Sequence, residues 1–205
     1  MMTRKFSADE CVKYMKNKYG KDFSFIRTVD KFQPTVRSLE IFVSCPELSG
    51  RDIYVVEEDT GGDLRFSDNF PAVMYEDEVR SLLTGLAEKV YGSCKVLYTL
   101  PFKRIIPGSP SSLEEYISDS LSCISFTLIL PPDADTARKD ELAQSLAAAL
   151  CEKKAVCSFR IFYTADAAVY KGIASFCDIP HDLSWYTAFG SLSTDGEVLT
   201  SESWR

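Results

Sequence analysis

A thiol, an imidazole and two carboxylates lie close together near the C-terminus, in the segment Cys177-Asp178-Ile179-Pro180-His181-Asp182. A cysteine becomes a nucleophile when a neighbouring base or cation lowers its pKa. The segment therefore offers Cys177, His181 and Asp182 as candidate catalytic residues of a small cysteine-dependent enzyme. Pro180 indicates a turn, and neighbours in sequence do not by themselves establish a catalytic geometry. An exposed structural turn is the competing interpretation.

Other familiar chemistries lack their sequence patterns. His181 is the one histidine in the chain, which excludes a zinc site with two or three histidine ligands from a single chain. The chain has no Walker A sequence, no GxGxxG after a strand and no GxSxG, so the usual phosphate cradle and nucleophile elbow are both missing. The acidic run Glu76 to Glu78 fits a helix start, where negative charge complements the dipole, better than a calcium loop. The sequence therefore predicts no metal and no cofactor.

A second candidate site is the proline-rich segment 101–112, PFKRIIPGSPSS. Prolines and a glycine at this density indicate a protruding loop or a boundary between halves of the chain. A plain linker has no need of apolar residues, yet this one carries three of them around two basic residues. We therefore predict a partner-binding role for the five residues Phe102, Lys103, Arg104, Ile105 and Ile106.

Composition and charge narrow the class of protein. Of the 205 residues, 45% are hydrophobic and 26% are charged, which is typical of a folded globular protein. The net charge of −7 weighs against a nucleic-acid partner, because such partners are bound largely through basic residues. No apolar run approaches the roughly 20 residues that span a bilayer, and no apolar segment follows the basic N-terminus as in a signal peptide. We expect a cytoplasmic protein that binds neither nucleic acid nor membrane.

The cysteines support the same compartment. There are seven, an odd number, and they form neither CxxC pairs nor the tight, even spacing of a disulfide framework. Several lie within apolar patterns, where a free cysteine behaves as a small hydrophobic residue. The sequence therefore predicts reduced thiols that mostly pack in the core.

Hydrophobic periodicity predicts an α+β fold. The segment 77–99 reads as an amphipathic helix that ends near Gly92 and feeds a strand, and the segment 140–162 repeats this pattern weakly. Alternating residues in 121–130 predict a strand with Ile124, Phe126, Leu128 and Leu130 on one face. The complete pattern predicts an antiparallel or mixed sheet of about seven to nine strands, two longer helices and several short ones.

Two choices stay open. The chain is one compact domain over 1–205, or two similar halves, 1–100 and 111–205, joined by the proline-rich loop 101–110. The missing catalytic patterns favour a non-catalytic cytoplasmic binding or scaffold module with a protein partner or a small ligand. The alternative is the cysteine-dependent enzyme built on Cys177 and His181.

Overall fold

The computed structural model describes residues 8–32, 37–59, 64–100, 109–119, 122, 124–181, 185–192 and 198–204. These residues form two compact units. One contains the described residues within Met1–Met74 and Lys103–Pro110, and the other those within Tyr75–Phe102 and Ser111–Arg205. The predicted single domain and its two-half alternative stay predictions.

The first unit is a helix packed on an antiparallel sheet in the order β1-β2-β3-β4. Its elements are α1 (Ala8–Tyr19), β1 (Ser24–Phe32), β2 (Arg37–Ser44), β3 (Ile53–Asp59), β4 (Leu64–Asp68) and α2 (Phe70–Met74). A short 3-10 helix, Pro46–Leu48, follows β2, consistent with the inability of proline to donate to the sheet ladder. Cys11 and Met15 of α1 are fully buried, as are Ile41 and Val43 of the sheet.

The second unit is a mixed sheet in the order β5-β6-β7-β8-β9. Its elements are α3 (Glu76–Tyr91), β5 (Lys95–Thr99), α4 (Leu113–Ser118), β6 (Ile124–Leu130), α5 (Lys139–Glu152), β7 (Cys157–Tyr163), α6 (Ala167–Gly172), β8 (Trp185–Leu192) and β9 (Val198–Trp204). β6 and β7 are parallel, with α5 as the connection between them, and the other neighbouring strands are antiparallel. Helices α3 and α5 contact each other.

The α+β prediction is confirmed, with nine strands and six α-helices among the described residues. The strands divide into two sheets instead of one, the first antiparallel and the second mixed. Three of the described helices, α1, α3 and α5, have at least twelve residues, whereas the sequence predicts two longer helices. The additional one is α1. No helix among the described residues has the length and apolarity to cross a bilayer.

Helix α3 confirms the pattern read in segment 77–99. Val79, Leu83, Leu86 and Ala87 are buried along one stripe. Gly92 ends the helix with φ of 74°, and its backbone N–H donates to the carbonyl of Glu88. A residue with a side chain adopts this conformation at a cost, which is why glycine is common at helix C-termini.

Candidate functional site

The exposed apolar residues of the first unit lie on an edge strand. β1 is the first strand of its sheet and pairs with β2, so among the described residues its other edge has no strand partner. Phe25 is 44% exposed and Ile26 49% exposed. An edge strand presents backbone N–H and C=O groups that can pair with another chain, and proteins usually protect such edges with charges or coverage. Two neighbouring exposed hydrophobic residues at an edge mark a candidate docking surface.

A β-bulge determines which face each side chain of this strand occupies. Phe25 is opposite Val43 and Arg27 is opposite Phe42, with the register shift between them. Val43 and Phe42 are consecutive in β2 and therefore point to opposite faces of the sheet. Phe25 and Arg27, two residues apart, consequently also lie on opposite faces, which a regular strand would not allow. The bulge leaves Ile26 as the extra residue between them.

Arg27 lies over an aromatic ring of its neighbouring strand. Its guanidinium carbon is 4.3 Å from the centroid of the Phe42 ring, within the range of a cation–π contact. The Phe42 ring in turn lies 6.1 Å from that of Tyr54, its cross-strand partner in β3. Arg27, Phe42 and Tyr54 thus form one row across three strands on a single face. The row holds an exposed cation in place at the edge of the sheet.

A buried carboxylate attaches α1 to β4, the strand at the opposite edge of the same sheet from β1. Asp68 of β4 is fully buried and accepts four hydrogen bonds. Its Oδ1 accepts from the Tyr19 hydroxyl at 2.6 Å and the Phe70 amide at 3.1 Å. Its Oδ2 accepts from the Lys18 ammonium at 2.8 Å and the Tyr14 hydroxyl at 3.1 Å. Because its lone pairs are used within the fold, Asp68 acts as a structural anchor and not as a free acid or base.

The electrostatics of this cluster agree with a structural role. Burial raises the pKa of Tyr14 and of Tyr19 well above the ordinary 10.0, and the negative charge of Asp68 raises both further. Lys18 lies over both rings, 5.5 Å from the centroid of Tyr14 and 5.0 Å from that of Tyr19. Neutral tyrosines around an ion pair stabilise α1 on the sheet and offer no nucleophile at neutral pH.

The predicted catalytic turn lies in the second unit, after α6. Cys177 and His181 are both exposed, and no hydrogen bond or ion pair joins them within the part of the chain that the structure describes. Asp178 is committed to the turn: its Oδ2 accepts from the Ser175 amide at 2.7 Å, the Ser175 hydroxyl at 2.8 Å and the Ala174 amide at 3.1 Å. These bonds lower the pKa of Asp178, and the bond from the Ser175 hydroxyl has the largest effect. Asp182 lies outside the described residues.

Lys95 fixes the segment that leads into this turn. Its ammonium donates to the carbonyls of Tyr170 at 2.6 Å, Ile173 at 2.8 Å and Lys171 at 3.1 Å, at the C-terminal end of α6. The charge there complements the negative end of the helix. Ile173 is buried against Ile129 of β6 and Phe162 of β7. The chain before Cys177 is therefore held by both a polar and an apolar contact.

Six cysteines lie among the described residues, all as free thiols: Cys11, Cys45, Cys94, Cys151, Cys157 and Cys177. Burial raises the pKa of Cys94 to about 11 and that of Cys157 to about 12, so both are protonated at neutral pH. Of the six, Cys177 alone is exposed. The residues described include no group of three or more histidine, cysteine or acidic side chains that could hold a metal.

The predicted partner-binding residues Phe102, Lys103, Arg104, Ile105 and Ile106 lie outside the described residues, so their role stays a prediction. The surface on β1 is one that sequence reasoning missed. Alternation along a strand does not by itself reveal an edge position or a bulge. The one available signal was the adjacent pair Phe25-Ile26, which breaks strict alternation.

No protein-family model matches the chain, and no curated protein matches it in sequence. Among solved structures it is similar to a DUF5037 family protein from Ruminococcus gnavus ATCC 29149, determined by crystallography at 2.55 Å resolution. The similarity covers 90% of this chain and 92% of that one, with a TM-score of 0.46 and 10% sequence identity. At that TM-score and identity the resemblance supports no inference about activity. The comparisons therefore name no function for the chain.

Proposed function

We propose that the chain is a non-catalytic binding module that captures a protein segment at the open edge of β1. The observation that carries this proposal is the exposure of Phe25 and Ile26, side by side on an edge strand. Strand addition uses the backbone groups of the edge for affinity and the exposed side chains for specificity. The net charge of −7 favours a protein partner over a nucleic acid. A second proposed contact surface is the segment of Phe102, Lys103, Arg104, Ile105 and Ile106.

We place this function in the cytoplasm. The six free cysteines support a reducing compartment, since stable disulfides are typical of secreted proteins. A binding module held in the cytoplasm needs no disulfide framework, because its two units already bury extensive apolar cores.

A selection from displayed random peptides tests the binding proposal. Peptides selected on the wild-type chain should lose at least about ten-fold in affinity when Phe25 and Ile26 are both changed to serine, because the apolar contact contributes on the order of 1.4 kcal/mol or more. Phe176→Ser is the matched control, since Phe176 is also a large exposed hydrophobic residue, 39% exposed, but belongs to the second unit. The Phe176→Ser variant should bind the selected peptides as tightly as the wild-type chain does.

Bound peptides should also slow the amide exchange of β1, as pairing at the edge protects its backbone. Equal binding by the wild-type chain and the Phe25/Ile26 double variant would contradict the proposal. Alanine replacement of Phe102, Ile105 and Ile106 tests the loop separately, where weaker capture at an unchanged melting temperature is the expected result.

The cysteine-dependent enzyme remains a second candidate because Cys177 is the exposed thiol among the described cysteines. An activated thiol reacts as the thiolate, so its alkylation at neutral pH should be faster than that of a free model thiol. His181→Ala should then slow the alkylation of Cys177. If Cys177 reacts no faster than the model thiol, or if His181→Ala changes nothing, the activated-nucleophile hypothesis fails.

A further inference from the structure

Arg27 is an exposed cation at the edge of β1, and its guanidinium donors have no hydrogen-bond partner in the part of the chain that the structure describes. Its guanidinium is stacked on the Phe42 ring, 4.3 Å from the centroid, and no hydrogen bond or ion pair to it occurs in the described ranges. A stacked guanidinium keeps the N–H groups of its rim free, and those groups match the two oxygens of a carboxylate. The stacking also restricts the side chain in advance, which reduces the entropy lost when a ligand binds.

We infer that the partner of this edge is an extended peptide segment that places an aspartate or glutamate opposite Arg27; the inference rests on the proposed strand addition at β1. In an added strand, the residue directly opposite Arg27 would have its Cβ about 5 Å from that of Arg27, on the same face. A carboxylate there reaches the guanidinium. Its charge complements an arginine that the rest of the described chain leaves unpaired.

The bulge extends the expected recognition pattern. Phe25 and Ile26 directly precede Arg27 in the strand, and Phe25 lies on the other face of the sheet from Arg27. Side chains of the added strand alternate between the two faces, so residues next to the acidic one fall on the Phe25 face. The recognised segment is therefore acidic on the Arg27 face and apolar on the Phe25 face.

Fluorescence anisotropy with synthetic peptides tests the inference directly. The probe is a labelled peptide that alternates threonine and valine around one central glutamate, with matched peptides that carry glutamine or lysine instead. The glutamate peptide should bind saturably with a Kd below about 1 mM, and the glutamine peptide about five- to ten-fold more weakly. Arg27→Gln should remove this preference, so that both peptides bind alike. Lys13→Gln, which changes an exposed cation on α1, should leave it intact.

The outcomes separate the inference from the proposed function. Equal binding of the glutamate and glutamine peptides by the wild-type chain overturns the role of Arg27 and leaves strand addition standing. Undiminished binding of a glutamate peptide methylated on alternate backbone nitrogens overturns strand addition itself, as does the absence of saturable binding by any of these peptides. Tighter binding of a labelled thymidine oligonucleotide, or an Arg27-dependent dimer in sedimentation, overturns the peptide partner in favour of nucleic acid or a second copy.

Discussion

Asp68→Asn should destabilise the first unit far more than its single lost charge suggests. The carboxylate is fully buried and accepts from two tyrosine hydroxyls, one ammonium and one backbone amide. Asparagine has nearly the same shape but turns one acceptor into an N–H₂ donor. That donor faces existing donors whichever way the amide is oriented. The Lys18 side chain, 12% exposed, would lose its carboxylate partner.

The magnitude follows from removing the Asp68 carboxylate from a largely buried ammonium. Removing one member of a buried ion pair costs about 3 to 5 kcal/mol, a large part of the stability of a typical domain. At about 1.4 kcal/mol for each factor of ten, the slowest amides of the unit should exchange at least a hundredfold faster when exchange requires global opening of the unit.

Amide hydrogen exchange of β2 and β3 is the appropriate assay, because both tryptophans of the chain, Trp185 and Trp204, belong to the second unit. Tryptophan fluorescence during urea unfolding then reports the second unit independently. Asp22→Asn is the matched control in the first unit. Asp22 bonds the Lys16 ammonium at 2.9 Å but its side chain is 82% exposed, and its replacement should have no measurable effect.

Acceleration of less than about ten-fold by Asp68→Asn would refute the reasoning, since it would mean that the buried pair contributes under about 1.4 kcal/mol. A double-mutant cycle with Lys18→Met gives a second criterion. The double variant should be less destabilised than the sum of the single changes, because it removes both charges of the pair, and the coupling should be about 1 kcal/mol or more. Additive effects would show that Lys18 and Asp68 do not act as a pair.

Three further changes have defined outcomes. Lys154 follows the C-terminal end of α5 and has φ of 54°, in the left-handed region, so Lys154→Gly should raise the free energy of unfolding by roughly 0.5 to 1 kcal/mol in thermal melts. Lys95→Met removes three bonds to carbonyls, so the Ile173 amide, which bonds Val169, should exchange about ten-fold faster. The raised pKa values of Tyr14 and Tyr19 should make the first unit lose stability as the pH rises above about 10.

Each of these three predictions has its own control and a result that would contradict it. Lys153→Gly, at φ of −83°, should not stabilise the chain, and equal gains at both positions would contradict the strain argument. Lys95→Arg should retain most of the protection that methionine loses. Above pH 10, the ordinary pKa of tyrosine, the unfolded chain loses the hydroxyl protons of Tyr14 and Tyr19 while the folded chain keeps them. The stability that these protons contribute is therefore fully present below pH 10 and is lost as the pH rises further. If tyrosinate absorbance showed that Tyr14 and Tyr19 both ionise before the first unit unfolds, the assignment of raised pKa values to them would be contradicted.

The local elements of this fold were predictable because their signals lie within a few residues of one another. The stripe Val79, Leu83, Leu86 identified α3, and Gly92 identified its end. The alternation in 121–130 identified β6, which the structure begins at Ile124. Its residues Phe126 and Leu128 pair with Phe159 and Ile161 of β7. These periods reflect the helical and extended backbone geometries, which the sequence expresses directly.

The candidate site depended on contacts between distant parts of the chain. Strand partners, edge positions and bulges are set by which strands pair and in what register, and a one-residue change of register moves each side chain to the other face. Only the pairing of β1 with β2 placed Arg27 over Phe42 and left Phe25 and Ile26 exposed. The sequence by itself determined the α+β class and the approximate positions of α3 and β6. The tertiary structure decided the division into two sheets and the exposed edge, because those depend on which distant segments meet.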